Sequence, residues 1–117
     1  MNIETLRNYC LSKTGANESF PFGEDTLVFK VGGKVFALTS MDARPLSVNL
    51  KCNPELAVEL REQYDAVRPG YHMNKVHWNT VIIDGTIRES DLKTWIDHSY
   101  ELIVARLPKT VRQELEK

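Results

Sequence analysis

The sequence feature that most constrains the fold is a Gly-Gly pair between two stretches of alternating residues. Large apolar side chains recur at every second position around Gly32-Gly33: Leu27, Phe29 and Val31 before it, Phe36 and Leu38 after it. A two-residue turn of this kind is typical of a β-hairpin. It would pair Val31 with Lys34, Phe29 with Phe36 and Leu27 with Leu38, which places the large side chains on one face. A phosphate-binding loop is not indicated, because a strand and not a helix follows the lysine.

Two further segments have the pattern of strands. Apolar and polar residues alternate from Leu46 to Lys51, which predicts a third strand with one solvated face. The β-branched segment from Thr80 to Ile83 predicts another strand. The tight-turn signal Asp84-Gly85 follows it, so we expect a second hairpin that returns through Thr86 and Ile87.

Helical spacing of apolar residues marks the remaining segments. A first helix is predicted from Ile3 to Ser12 with Asn2 as its N-cap, and a second begins at Asn53-Pro54, where Asn caps and Pro suits the first position. The longest helix is expected to start at a Ser90 cap. Pro108 interrupts it, and a short charged helix follows.

The order helix, hairpin, strand, helix, hairpin, long helix predicts an α+β fold with helices packed on one face of an antiparallel sheet. Short turns between strands favour antiparallel pairing, because parallel neighbours need long crossovers. A dinucleotide-binding fold is therefore disfavoured. The length of 117 residues is typical of one domain, which we expect to span residues 1–117.

Composition and the chain start indicate an intracellular protein. No apolar run approaches the roughly 20 residues that span a bilayer, and Met1–Glu4 lacks the features of a signal peptide. We therefore expect a cytoplasmic protein with no membrane association. In a reducing compartment Cys10 and Cys52 would remain free thiols.

One connecting segment, from Arg68 to Asn79, has an unusual mixture of residues. Its side chains suit an anionic, planar or hydrogen-bonding ligand: Arg68 and Lys75 offer charge, Tyr71, His72 and Trp78 offer stacking, Asn74 and Asn79 offer amides. A structural interpretation stays open, in which Trp78 belongs to the core, His77 bridges backbone groups and Pro69-Gly70 is an ordinary turn. The Phe20-Pro21-Phe22-Gly23 segment is expected to close the edge of the core and not to contact a ligand.

The same segment carries a family resemblance. Pro-Gly-Tyr-His-Met-Asn-Lys (69–75) followed by His77-Trp78-Asn79 is similar to the signature of the MmcQ/YjbR family. Further matches occur in the same order: Phe20–Gly23, the Lys30–Phe36 hairpin, Leu50-Lys51-Cys52 before Pro54, and Ser99-Tyr100 ahead of Leu107-Pro108-Lys109. The resemblance covers nearly the whole chain. It implies a fold similar to that of frataxin (CyaY-like) and a predicted DNA-binding function, although Val76 replaces the basic residue that often precedes the family's His-Trp pair.

Three binding functions follow from these observations. The preferred hypothesis is a nucleic-acid-binding module, with DNA phosphates contacted by Lys34, Lys51, Arg68 and Lys75. The net charge of −1 confines any such surface to a local patch. The first alternative is a pocket for a small anionic or aromatic ligand, formed by Tyr71, His72, Asn74, Lys75, His77 and Trp78. The second is a protein-interaction domain that uses exposed apolar surface or an open sheet edge.

Enzymatic and metal functions are not indicated. Asp97-His98-Ser99 has the residue types of a catalytic triad, but neighbours on a helix point in different directions. A Cys52 nucleophile with His72 or His77 as its base has no supporting motif. A frataxin-like iron surface would need acidic residues, and the first helix has only Glu4. We therefore predict no catalytic residues, no metal and no cofactor.

Overall fold

The computed structural model describes residues 1–71 and 73–116, and within them six strands and four helices form around one core. The strands are β1 (Asn17–Ser19), β2 (Thr26–Val31), β3 (Lys34–Ser40), β4 (Leu46–Lys51), β5 (Val67–Pro69) and β6 (Trp78–Ile83). The helices are α1 (Ile3–Leu11), α2 (Pro54–Gln63), α3 (Glu89–Ala105) and α4 (Lys109–Leu115). No helix of the described residues is long and apolar enough to cross a membrane.

The strands form a single antiparallel sheet in the order β1-β2-β3-β4-β6-β5. The predicted α+β class and antiparallel pairing are therefore confirmed. The core lies between the sheet and the helices, with Phe29, Val48 and Val81 buried from the sheet and Leu6 and Ile96 from the helices. In the described part of the chain, this arrangement leaves the opposite face of the sheet, here called the open face, without a helical cover.

The register of the β2–β3 hairpin departs from the simple alternation that the sequence predicts. Val31 pairs with Lys34 as expected, but a bulge shifts the next pairs, so that Phe29 faces Ala37 and Val28 faces Leu38. The predicted pairings of Phe29 with Phe36 and of Leu27 with Leu38 are wrong. The bulge adds one residue to β3, which lets Phe36 pack in the core, 5.4 Å from the Tyr100 ring. Leu38 is consequently turned toward the open face.

Side-chain hydroxyls flank a short ladder between the central strands β3 and β4. Ala37–Leu50 and Leu38–Asn49 are the two paired positions in the described residues. Beyond one end, Ser99 Oγ donates to the Phe36 carbonyl at 2.5 Å and accepts from the Lys51 amide at 2.9 Å. Beyond the other end, Thr39 Oγ1 donates to the Ser47 carbonyl at 2.5 Å. The hydroxyls continue the hydrogen bonding between the strands where the ladder stops.

The predicted starts of two helices are confirmed and that of the third is wrong. Asn2 and Asn53 cap α1 and α2 through their side-chain oxygens. Ser90 does not cap α3, because that helix already begins at Glu89. The carbonyl of Arg88 accepts from the amides of Asp91 and Leu92, so Ser90 lies inside the first turn.

The predicted second hairpin is also wrong. Asp84 does form the expected turn, since its carboxylate accepts from the Thr86 amide at 3.0 Å and from the Thr86 hydroxyl at 2.6 Å. The chain then enters α3 without forming another strand, and β6 pairs with β4 and β5 instead. The sequence pattern also missed the three-residue strands β1 and β5, which are too short to show alternation.

Candidate ligand-binding groove

A continuous row of residues crosses the open face of the sheet. The register joins Val28, Leu38, Asn49, Thr80 and Arg68 on five successive strands. Because side chains alternate between the faces of a sheet, these five share the face opposite the buried residues Ala37, Leu50 and Val81. The row therefore brings apolar, amide, hydroxyl and guanidinium groups to one surface.

A groove of about 760 Å³ lies on this surface. Its floor is formed by side chains of the strands and its sides by three loops. The floor residues are Leu38, Ser40, Ser47, Asn49, Thr80 and Ile82, and the loop residues are Phe22, Pro45, Tyr71 and Met73. We call this the open-face groove. Its lining is mainly apolar with a few polar groups, which is the composition of small-molecule sites.

Two hydrogen bonds attach the loop before β6 to the floor of the groove, and a third joins the two floor residues that they reach. The Tyr71 amide donates to Thr80 Oγ1 at 2.9 Å, and Thr80 Oγ1 in turn donates to the Asn49 side-chain oxygen. Asn49 Nδ2 reaches the Tyr71 carbonyl at 3.5 Å. The backbone of Tyr71 is thus fixed over the sheet, so this wall of the groove is already formed.

Two large aromatic side chains of the lining are exposed. Tyr71 is 68% exposed and Phe22, on the loop between β1 and β2, is 74% exposed. Phe20 is 48% exposed, so the prediction that the Phe20–Gly23 segment closes the core edge is wrong. The core is completed by residues of the strands and helices, which leaves this loop at the groove.

Arg68 supplies the formal charge of the groove. Among the described lining residues it is the one side chain that is ionised at neutral pH, and no carboxylate lies in the lining. Its Nε donates to the Asp65 carbonyl at 3.4 Å, which leaves other guanidinium N–H groups available. Hydrogen bonds from Thr86 hold the pKa of Asp84 below its usual range, with a smaller contribution from Arg68.

The other predicted residues of the 68–79 segment mainly hold the loop together. Asn74 Oδ1 accepts from the amides of Val76 at 2.9 Å and His77 at 3.3 Å. The Lys75 ammonium donates to the Gly70 carbonyl at 3.0 Å. The carbonyl of His77 accepts from the Cys52 amide at 2.8 Å. His72 lies outside the described residues.

Arg61 of α2, which no sequence pattern marks as functional, holds the same segment from the helix side. Its Nε donates to Asn79 Oδ1 at 2.7 Å and a terminal nitrogen contacts the Lys75 carbonyl. Asn79 is buried and its Nδ2 donates to the Ala57 carbonyl at 3.3 Å. Asn79 is therefore a structural residue. The contact could not be found from the sequence, because Arg61 looks like an ordinary polar residue of an amphipathic helix.

The two remaining predicted cations lie away from the centre of the groove. Lys51 ends β4 opposite Trp78, and Lys34 begins β3 at the same end of the sheet. We call this group, together with Arg106 after α3, the basic corner. Burial, with a smaller contribution from the nearby Arg106 guanidinium, lowers the pKa of the Lys51 ammonium. The structure thus separates the predicted residues into the groove with Arg68 and Tyr71, the loop with Asn74, Lys75 and His77, and the basic corner.

Asp97 and His98, whose residue types match a catalytic triad, form hydrogen bonds with different parts of the chain. Asp97 accepts from the Tyr9 hydroxyl at 2.6 Å, and His98 Nε2 accepts from the Asn53 amide at 3.2 Å. Both cysteines are free thiols, as predicted, and the structure shows that both are buried. Burial raises the pKa of Cys10 to about 12 and that of Cys52 to about 11. Neither thiol is therefore a ready nucleophile near neutral pH. In residues 1–71 and 73–116, no three His, Cys, Asp or Glu side chains are placed to hold a metal ion.

Comparison with known proteins gives consistent matches. A family model described as YjbR matches residues 11–102. The uncharacterised protein YjbR of Escherichia coli (strain K12) is 40% identical over 116 residues, covering 98% of both chains. The uncharacterised protein YbdF of Escherichia coli O157:H7 is 37% identical over 106 residues, covering 91% of this chain and 87% of the other. The crystal structure of Deinococcus radiodurans DR2400, with the domain DUF419, has a TM-score of 0.93 at 39% identity and covers 98% of this chain and 88% of that one.

Proposed function

The chain belongs to the YjbR family, and we propose that it is a non-enzymatic protein that binds a small ligand in the open-face groove. The observation that carries the proposal is the groove itself, about 760 Å³ in volume, on a sheet face without helices. Small-molecule sites are concave, mainly apolar and hold a few placed polar groups, at volumes of roughly 300–1,000 Å³. The groove meets each of these criteria.

Exposed aromatic area in the lining supports the proposal. Single exposed apolar residues are common on protein surfaces, but Phe22 and Tyr71 line one concavity together with Leu38 and Ile82. A ligand with a flat or apolar body would remove this area from water. Burial of apolar area is favourable by about 25 cal/mol per Å², which makes such a ligand the best match.

The fixed position of the loop also favours binding. The Tyr71 amide donates to Thr80 Oγ1, which donates to Asn49 Oδ1, and Asn49 Nδ2 donates to the Tyr71 carbonyl, so bonds within the chain hold this wall. A preformed wall lowers the entropic cost of association, because fewer groups have to be ordered when the ligand enters. Thr80 is therefore proposed as a positioning residue for Tyr71.

An amide NMR titration tests the groove with 4-phenylbutan-1-ol as a probe, a flat apolar body on a short chain. We expect shifts on the amides of Leu38, Asn49 and Thr80. Ser40→Trp fills the groove from an exposed position of its lining, whereas Thr110→Trp adds the same side chain on the exposed surface of α4. Binding should be lost in the first variant and kept in the second. Shifts that cluster outside the groove, or equal binding by both variants, would overturn the proposal.

A second candidate function, DNA binding, is favoured by one observation. The register places Lys34 and Lys51 at the same end of the sheet, and the lowered pKa of Lys51 is partly due to Arg106. A local positive potential at this basic corner would attract phosphates. Lys75 adds less to such a surface, since its ammonium already donates to the Gly70 carbonyl.

Salt dependence tests this candidate. Three phosphate contacts on duplex DNA, one for each cation of the basic corner, would lower log affinity by about 2.7 per tenfold increase in salt, at about 0.9 per contact. Fluorescence anisotropy with a labelled 12-base-pair duplex measures the slope. Lys34→Gln and Lys51→Gln should each reduce the slope by about 0.9, whereas Arg44→Gln, in the exposed loop at the opposite sheet end, should leave it unchanged. Absence of binding at low salt, or equal slopes for all variants, would exclude the candidate.

A further inference from the structure

We infer that the ligand of the open-face groove is an organic carboxylate with an aromatic or acyl body, its charged end paired with Arg68. The inference rests on the proposed binding function and adds the chemical class of the ligand. It follows from three features of the groove: the sign and place of its charge, the distance from that charge to the apolar floor, and the acidic group that competes for the same arginine.

The charge of the lining has one sign. Arg68 carries the formal charge among the described lining residues, and no Asp or Glu lies beside it in the groove. A guanidinium presents a planar fork of donors that matches a carboxylate. An anion entering the groove would gain this partner without meeting a like charge, whereas a cation would be repelled. A neutral ligand would give the Arg68 guanidinium no ion-pair partner, so that group would stay hydrated.

The position of Arg68 in the sheet sets the shape of the ligand. Arg68 pairs with Thr80, Thr80 with Asn49, and Asn49 with Leu38. Neighbouring strands lie about 4.8 Å apart, so the backbone of β5 is roughly 10 Å from that of β4, across the floor of the groove. A carboxylate held by Arg68 therefore needs a body of several carbon atoms to reach the apolar floor. Acetate or another small anion would leave the floor and Phe22 uncovered.

Asp84 is a competitor for Arg68. The two side chains interact electrostatically but form no ion pair within 4 Å. The carboxylate of Asp84 lies on the neighbouring polar surface with Gln63, Asp65 and Thr86, which Arg68 also borders. A carboxylate ligand must therefore draw the guanidinium toward the groove against the field of Asp84. Removing that charge should tighten binding of an anion and leave binding of a neutral molecule unchanged.

Three matched probes test the inference: 4-phenylbutyrate, 4-phenylbutan-1-ol and 4-phenylbutylamine share one body and differ in charge. Dissociation constants are measured by amide NMR titration with the folded full chain. We expect the acid to bind about fivefold more tightly than the alcohol, the size of a strong exposed ion pair, and the amine most weakly. Arg68→Gln should remove the preference for the acid while the alcohol binds as before. Asp84→Asn, whose amide oxygen can still accept from Thr86, should increase the preference.

The outcomes separate this inference from the proposed function. If the alcohol binds in the groove as tightly as the acid, and Arg68→Gln changes neither, the carboxylate assignment is wrong and the groove remains a binding site. Tighter binding of the amine would also overturn the assignment. If none of the three probes shifts the groove amides, both the assignment and the binding function fail.

Discussion

Ser99 of α3 donates a 2.5 Å hydrogen bond from its buried hydroxyl to the carbonyl oxygen of Phe36 on β3. The Ser99 Oγ also accepts from the Lys51 amide of β4 at 2.9 Å, so one helical hydroxyl joins the two central strands. Phe36 is displaced by the β-bulge, and its ring packs in the core against Tyr100. Ser99 thereby satisfies backbone groups beside the bulge and fixes α3 on the sheet.

Ser99→Ala is expected to lower the free energy of unfolding by about 1–3 kcal/mol, because the Phe36 carbonyl and Lys51 amide lose a partner in a buried position. Urea denaturation measures the change. Ser90→Ala, at an exposed position in the first turn of α3, is the control and should stay within about 0.5 kcal/mol of the parent chain. Equal effects of the two substitutions would contradict the role given to Ser99.

The two glycines of the hairpin turn should respond differently to substitution by alanine. Both have positive φ, so each variant has left-handed backbone strain of roughly 1–2 kcal/mol. At Gly33 an added Cβ meets no atom within 4 Å, whereas at Gly32 it comes within 2.7 Å of a Leu107 methyl group. Gly32→Ala must also displace that side chain, which adds about 1–3 kcal/mol. Urea denaturation of both variants checks the order, and a less stable Gly33→Ala would contradict it.

The buried thiols should be inert in the folded chain. Burial raises the pKa of Cys10 to about 12, so about one thiol in ten thousand is ionised at pH 8. Cys52, with its pKa raised to about 11, is also mainly protonated. Labelling with iodoacetamide, followed by mass spectrometry, should be slow in buffer and reach the rate of free glutathione in urea. Rapid labelling of either residue without urea would contradict the burial.

The ion pair between Arg7 and Glu18 should make stability depend on pH. The hydrogen bond from Arg7 holds the pKa of Glu18 below its usual range, so the pair stabilises the folded state while Glu18 is ionised. The contribution is complete above the pKa of an unfolded glutamate, about 4.3, and is lost as the pH falls through the lower folded value. Glu18→Gln should therefore be less stable than the parent chain at pH 7, and the difference should shrink toward pH 3.

Glu24→Gln, in the exposed loop before β2, is the matched control for that experiment. Its difference from the parent chain should change little between pH 7 and pH 3. Added salt should reduce the effect of Glu18→Gln at pH 7, because exposed ion pairs are screened. If the stability difference between Glu18→Gln and the parent chain grows as the pH falls, the role given to the Arg7–Glu18 ion pair is contradicted.

Much of the fold was predictable because its signals are local. The Gly32-Gly33 turn, the Asn2 and Asn53 caps and the alternation from Leu46 to Lys51 each depend on residues close together in the chain. The family resemblance, now confirmed, also follows from a contiguous segment. Two wrong predictions, the hairpin register at Phe36 and the strand after Asp84, concern features where tertiary contacts override a local signal. The start of α3 was wrong because the Arg88 carbonyl begins the helical hydrogen bonds ahead of Ser90.

The candidate site was predicted in part. The sequence pattern predicted Arg68 and Tyr71 as binding residues, and both line the groove. It also predicted Asn74 and Lys75, which instead form hydrogen bonds within the loop. Phe22 was assigned to the core edge. No local pattern could show that two loops more than 40 residues apart contribute to one surface, because that depends on the strand order.

By itself, the sequence determined the α+β class, the positions of the main strands and helices, and the family, because periodicity, caps and turn residues act over a few positions. Only the tertiary structure decided which side chains share the open face. A single bulge in β3 turned Leu38 toward the groove, and the pairing of β6 with both β4 and β5 placed Arg68 in the same row as Asn49. Strand register and strand order depend on packing across the whole sheet, so the groove exists only when all its strands are assembled.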